Sequence, residues 1–97
     1  MTPEELYEIF SINPNCKGAL MFTVLVYDLA GGMDGPRALG HLCALARMPR
    51  PAVYSRMKRA LAPVFEAQPE TLEALGLCYQ STTVGLAREL VRSMEGG

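Results

Sequence analysis

The prolines constrain this chain more than any other feature. Seven of them stand at positions 3, 14, 36, 49, 51, 63 and 69. A proline has no amide donor and a fixed φ, so it opens a helix readily, breaks one from within and is excluded from central strands. Gly31-Gly32 and Gly76 add stop signals. The chain is thereby restricted to short elements, and the apolar spacing between the breaks is helical.

Thr2-Pro3-Glu4-Glu5 predicts a capping box, with Thr2 as N-cap, Pro3 at the first helical position and Glu5 reaching back. Leu6, Ile9 and Phe10 carry that helix to about Ser11. Asn13-Pro14 predicts the start of a second helix that ends at Gly31-Gly32. Its middle, Phe22-Thr23-Val24-Leu25-Val26-Tyr27, is rich in strand formers, and periodicity alone leaves a strand open. Helical neighbours and an apolar character on all sides favour a buried central helix. Met33-Asp34-Gly35-Pro36 is a turn in which Asp34 or Gly35 caps a third helix, running from Pro36 to about Arg47. Its inward face is Leu39, Leu42, Cys43 and Ala46. Met48-Pro49-Arg50 breaks it, and Pro51 opens a fourth helix with Val53, Met57, Ala60, Leu61 and Val64 inward. Pro63 should kink or end that helix. A fifth runs from near Pro69 to Gly76, and a last one, capped by Ser81, Thr82 or Thr83, carries Leu86, Leu90 and Met94. The expected fold is all-α: one domain over residues 1–97, a compact bundle of about six short helices.

An apolar content of 49% with 20% charged residues is ordinary for a globular chain. The apolar stretch Gly18–Tyr27 is about half of the ~20 residues a bilayer span needs. Glu4, Glu5 and Glu8 occupy the place where a secretory signal would be basic and then apolar. A cytoplasmic protein without membrane contact is expected. Cys16, Cys43 and Cys78 form no CxxC pair, and His41 is the only histidine, so the reading is reduced, buried thiols and no structural metal. His41 lacks a cysteine or carboxylate at helical spacing and reads as structural. The tract Gly31–Gly35 lacks the lysine and spacing of a phosphate loop, and no nucleophile–base constellation can be assembled. Neither a cofactor nor an enzyme activity is expected.

Charge is unevenly distributed. Residues 1–34 sum to −4, residues 35–65 to +6 without a single acid, and residues 66–97 to −3. A basic centre between acidic ends is a statement about partners. The third and fourth helices, joined by a few residues, have the layout of a helix-turn-helix over about residues 36–65. Cys43 is the small residue at the crossing and Met48 the apolar turn residue, while Arg47 stands where many such turns place glycine. At 100° per residue, Ser55, Lys58, Arg59 and Ala62 lie opposite the apolar seam, flanked by Tyr54 and Arg56. Arg50 sits at the helix N-terminus, which favours a phosphate. The candidate contacts to double-stranded DNA are Arg47, Arg50, Tyr54, Ser55, Arg56, Lys58 and Arg59, on a recognition helix of about residues 51–62. Arg88 and Arg92 fall outside this set and should contribute little.

Lys17-Gly18-Ala19-Leu20, Leu42-Cys43 before a turn, Val53-Tyr54-Ser55-Arg56-Met57-Lys58-Arg59-Ala60-Leu61 and Phe65 resemble one family. It is the C-terminal DNA-binding domain of the sporulation-initiation response regulator of spore-forming Firmicutes (Spo-zero-A-like). Met57, Lys58, Ala60, Leu61 and Phe65 fall in register with its recognition helix, and Leu75-Gly76-Leu77 with its closing segment. The resemblance implies a helix-turn-helix transcription regulator with its recognition helix in the major groove, as a homodimer or with a partner regulator. Tyr54 and Ser55 depart from it: the family has Glu-Arg there and uses the pair on its DNA box. The Gly18–Leu42 segment is shorter than the family's, and no phosphorylatable receiver occurs within these residues, so phosphorylation control is not carried over. The alternative is a helical protein-interaction module that kept this fold and lost specific DNA binding; the acidic flanks and the missing Glu-Arg pair favour it.

Overall fold

The computed structural model describes residues 2–77 and 82–96, and every regular element among them is a helix. The order is α1 (Pro3–Ile9), α2 (Lys17–Ala30), α3 (Gly35–Ala46), α4 (Arg50–Ala60), α5 (Ala62–Glu66), α6 (Pro69–Ala74) and α7 (Thr83–Gly96). The all-α class is as expected, and Phe22–Tyr27 is helical. There are seven described helices rather than about six because Pro63 ends the fourth outright. Without an amide on Pro63 the ladder stops at Leu61, and Pro63 falls in the first turn of α5.

The ends of the helices obey local chemistry. Thr2 Oγ1 accepts from the Glu5 N–H at 3.3 Å, the forward half of the expected capping box. Asp34, not Gly35, caps α3, its Oδ2 accepting from the Arg37 N–H at 3.3 Å. Of the three candidates Thr82 caps α7, its Oγ1 accepting from the Gly85 N–H at 3.0 Å; Thr83 is the first residue of the helix, and Ser81 lies outside the described residues, as does Cys78. Gly32 ends α2 in a Schellman motif: at φ +98° it lets the Met33 N–H reach the Asp28 carbonyl at 3.1 Å. One boundary moves. Residues 13–16 form an Asx turn, with Asn13 Oδ1 accepting from Asn15 N–H at 3.0 Å, so α2 starts at Lys17 instead of Asn13-Pro14.

Helix α2 is the hub, packing on α3, α4 and α7. Phe22, Leu25, Val26, Val53, Met57, Leu61, Leu86 and Leu90 are buried in one cluster. It is not apolar on all sides into the core, however. Leu20 is 55% and Tyr27 53% exposed, which puts one edge of the helix, seven residues apart, outside the packing. The α1 helix is tied on by Tyr7, whose buried hydroxyl donates to the Ala19 carbonyl at 2.7 Å and meets Thr23 Oγ1. Burial raises the Tyr7 phenol above its ordinary pKa near 10.0, against the opposing pull of the Thr23 contact.

The α2–α4 joint fixes where α4 sits. A Cβ built on Gly18 would lie 2.2 Å from the Arg56 carbonyl oxygen and 2.9 Å from Ala60 Cβ. Only glycine permits that approach of one helix backbone to another. Among the described residues no helix is long and apolar enough to cross a membrane.

Candidate nucleic-acid interface

Residues 47–49 join α3 to α4, and the two helices pack against each other. Arg47 closes α3 in the left-handed region (φ 56°, ψ 44°), its N–H bonded to the Cys43 carbonyl. The position normally given to glycine is thus held by an arginine at a cost of about 1–2 kcal/mol. Met48 folds back onto the core cluster, and Cys43 packs there too. Cys16 and Cys43 are both free thiols, half-buried rather than buried as expected.

Val53 and Met57 are fully buried, which sets the rotation of α4. Arg50, Tyr54, Ser55, Arg56, Lys58 and Arg59 are then all exposed. The helix spans Arg50–Ala60, one residue earlier at its start than anticipated, since Arg50 takes the first helical position and Pro51 the second.

The structure divides the candidate residues between two flanks of α4. Arg50, Tyr54, Ser55 and Lys58 line a groove of about 770 Å³ whose far walls are the first turns of α3 and α7. Arg56 and Arg59 turn the other way and, with Lys17 and Cys16, line a smaller notch of about 320 Å³ at the start of α2. Arg47 stands apart from both, in the turn. Two cations beyond the expected set thus join the surface: Lys17 and Arg88. Arg88 lies outside residues 35–65 in sequence yet lines the same groove as Arg50 and Lys58. It is brought there by the packing of α7 on α4, and only its exposure opposite Leu86 and Leu90 signals it in sequence.

Ion pairing distinguishes these cations from the others. Arg37 lies 4.0 Å from Asp34 and Arg92 3.1 Å from Glu89, both on their own helical turns. Among the described residues, Arg47, Arg50, Arg56, Lys58, Arg59 and Arg88 have no acidic partner. His41, which has no carboxylate at helical spacing, meets one across the helix pair: its Nδ1 is 2.8 Å from Asp28 Oδ2 at the end of α2. That contact staples α3 to α2 away from the basic flanks. No group of three or more His, Cys, Asp or Glu side chains that could hold a metal occurs among the described residues. Compared with protein families, curated proteins and solved structures, the chain matches none.

Proposed function

We propose that this chain is a DNA-binding transcription-regulator domain that lays α4 in the major groove of duplex DNA, in the manner of the sporulation-initiation effector domain it resembles. One observation carries the reading. The helix that follows a three-residue turn (47–49) buries Val53 and Met57 and turns every one of its cations to solvent without an acidic partner among the described residues. Such a helix is held by its apolar seam and offers donors to phosphates and base edges. Arg50 and Lys58 address one strand's phosphates, Arg56 and Arg59 those across the groove, and Ser55 faces the bases.

The test is a fluorescence-anisotropy titration of duplex DNA at about 50 and 200 mM salt, where each neutralised phosphate contributes a log–log slope of about −0.9. Steeply salt-dependent binding supports the reading; absent binding at low salt refutes it. Tyr54 and Ser55 cannot form the bidentate guanine contact that the family's Glu-Arg pair makes possible, a contact worth about 1–3 kcal/mol of discrimination. The family's DNA box should therefore compete little better than scrambled duplex, and a thousandfold preference for the box would contradict this.

A second reading has its own observation. Leu20 and Tyr27 on α2, exposed and seven residues apart with half-buried Val24 between them, form an apolar stripe that fits a partner helix. A protein-interaction module would bind through that stripe and ignore DNA. Leu20→Ser with Tyr27→Ser would then abolish partner binding or dimerisation, whereas DNA affinity would be unchanged.

A further inference from the structure

Two guanidinium groups reach the first turn of α3 from two different helices. Arg50 Nη2 donates to the Pro36 carbonyl at 3.4 Å. Arg88 reaches the neighbouring residue from α7, its Nη2 lying 2.7 Å from where a Cβ on Gly35 would stand. The missing side chain is what makes room for it. Lys58, two turns along α4 from Arg50, lines the same groove. Asp34, the acid nearest in sequence, is turned to Arg37, with Oδ2 on its N–H at 3.3 Å and Oδ1 4.0 Å from its Nε. No carboxylate lines this concave site, and among the described residues none lies within ion-pair distance of Arg50, Lys58 or Arg88, an arrangement that a bound anion relieves. The rest of the lining is of another kind. Leu39 and Val84 are apolar, and Tyr54 offers a half-open aromatic ring. The volume of about 770 Å³ falls in the range of small-molecule sites, roughly 300–1,000 Å³.

We propose that this groove is a binding site for a small organic anion, a phosphate monoester on an aromatic or apolar body, and that its occupancy competes with nucleic acid. Arg50 and Arg88 hold the phosphate at the first turn of α3, the guanidinium groups suiting its oxygens by their fork geometry, and Lys58 adds positive charge farther along the groove. Tyr54, Leu39 and Val84 receive the body. The competition follows because Arg50, Tyr54, Ser55 and Lys58 belong to both surfaces; that clause rests on the DNA-binding reading, while the site itself does not.

The experiment is an NMR titration of the full 97-residue chain with phenyl phosphate, followed by amide shifts, with phenol and inorganic phosphate as controls. Saturable shifts are expected at residues 35–39, 50–58 and 83–88, with phenol inert and inorganic phosphate weaker than the ester. Arg88→Gln should weaken phenyl phosphate about tenfold, the loss of one charge-assisted hydrogen bond. Gly35→Ala keeps every charge and displaces the Arg88 guanidinium, so it should also weaken binding, by a smaller factor. Both variants alter exposed or first-turn positions, and their unshifted remaining amides report an intact fold. Shifts centred on Lys17, Arg56 and Arg59, or affinity unchanged in both variants, would overturn the site. In the DNA arm, phenyl phosphate should displace bound duplex from the wild type more effectively than from Arg88→Gln. Saturation of the groove without displacement would overturn the competition alone; failure of the protein to bind DNA at all would refute the functional reading and leave the direct titration to decide the site.

Discussion

Where α4 meets α2, a Cβ on Gly18 would lie 2.2 Å from the Arg56 carbonyl oxygen; where α4 faces solvent, Arg50, Ser55, Lys58 and Arg59 are exposed. The same helix therefore has one side with no room for a carbon atom and another whose side chains are open to solvent. Stability resides on the first side and charge on the second. The basic residues of α4 thus contribute little to holding the fold: among the described residues only Arg50 hydrogen-bonds another helix, at the Pro36 carbonyl. Without acidic partners among the described residues they contribute mutual repulsion, which the buried seam offsets. Substitutions on the two sides should thus affect different measurements.

The largest effect is expected for Val53→Asp. Val53 is fully buried, and a carboxylate there has no partner. The penalty should exceed about 4 kcal/mol, most of the stability of a small domain. Far-ultraviolet circular dichroism should show an unfolded or loosened chain; a normal melting curve would mean that the seam is elsewhere. Gly18→Ala comes next. The helices must separate to admit the methyl group, at about 2–3 kcal/mol, read as a fall in Tm by thermal denaturation. An unchanged Tm would show that α2 and α4 do not approach as closely as described.

Alkaline titration probes the α1 attachment, which shares no residue with α4. Because burial raises the Tyr7 pKa in the folded state, the unfolded chain ionises first as pH rises through about 10.0. Its stabilising contribution is complete below that pH and is lost above it. Tyr7→Phe, costing about 1 kcal/mol at neutral pH, should flatten the alkaline decline. The smallest change is expected at the turn. Arg47→Gly relieves a left-handed arginine but loosens the unfolded chain by about 0.5–1 kcal/mol, so stability should stay within about 1 kcal/mol of the wild type.

These regions were not equally legible in the sequence. The helices and most of their ends could be read because Thr2, Asp34, Thr82, Gly32 and the prolines act on backbone groups a few residues away. The start of α2 could not, since Asn13-Pro14 serves an Asx turn as well as a helix cap. Within the candidate interface the rotation of α4 followed from Val53 and Met57 alone. Arg88 and Lys17 were not readable as its neighbours, and neither was the Asp28 partner of His41, because spacing rules connect residues of one helix whereas these contacts depend on how α7, α2 and α3 dock. The exposed edge of α2 was missed for the same reason: an all-apolar helix does not reveal which strip its neighbours leave uncovered.

The most direct test of the account compares the salt dependence of duplex DNA binding in the wild type and in Lys58→Gln/Arg59→Gln, one residue from each flank of α4. Weaker binding is expected, with a log–log salt slope shallower by about 2 and an unchanged Tm, since both side chains are exposed and neither has an acidic partner among the described residues. An unchanged affinity and slope, with the protein still folded, would contradict it and place the functional surface away from α4.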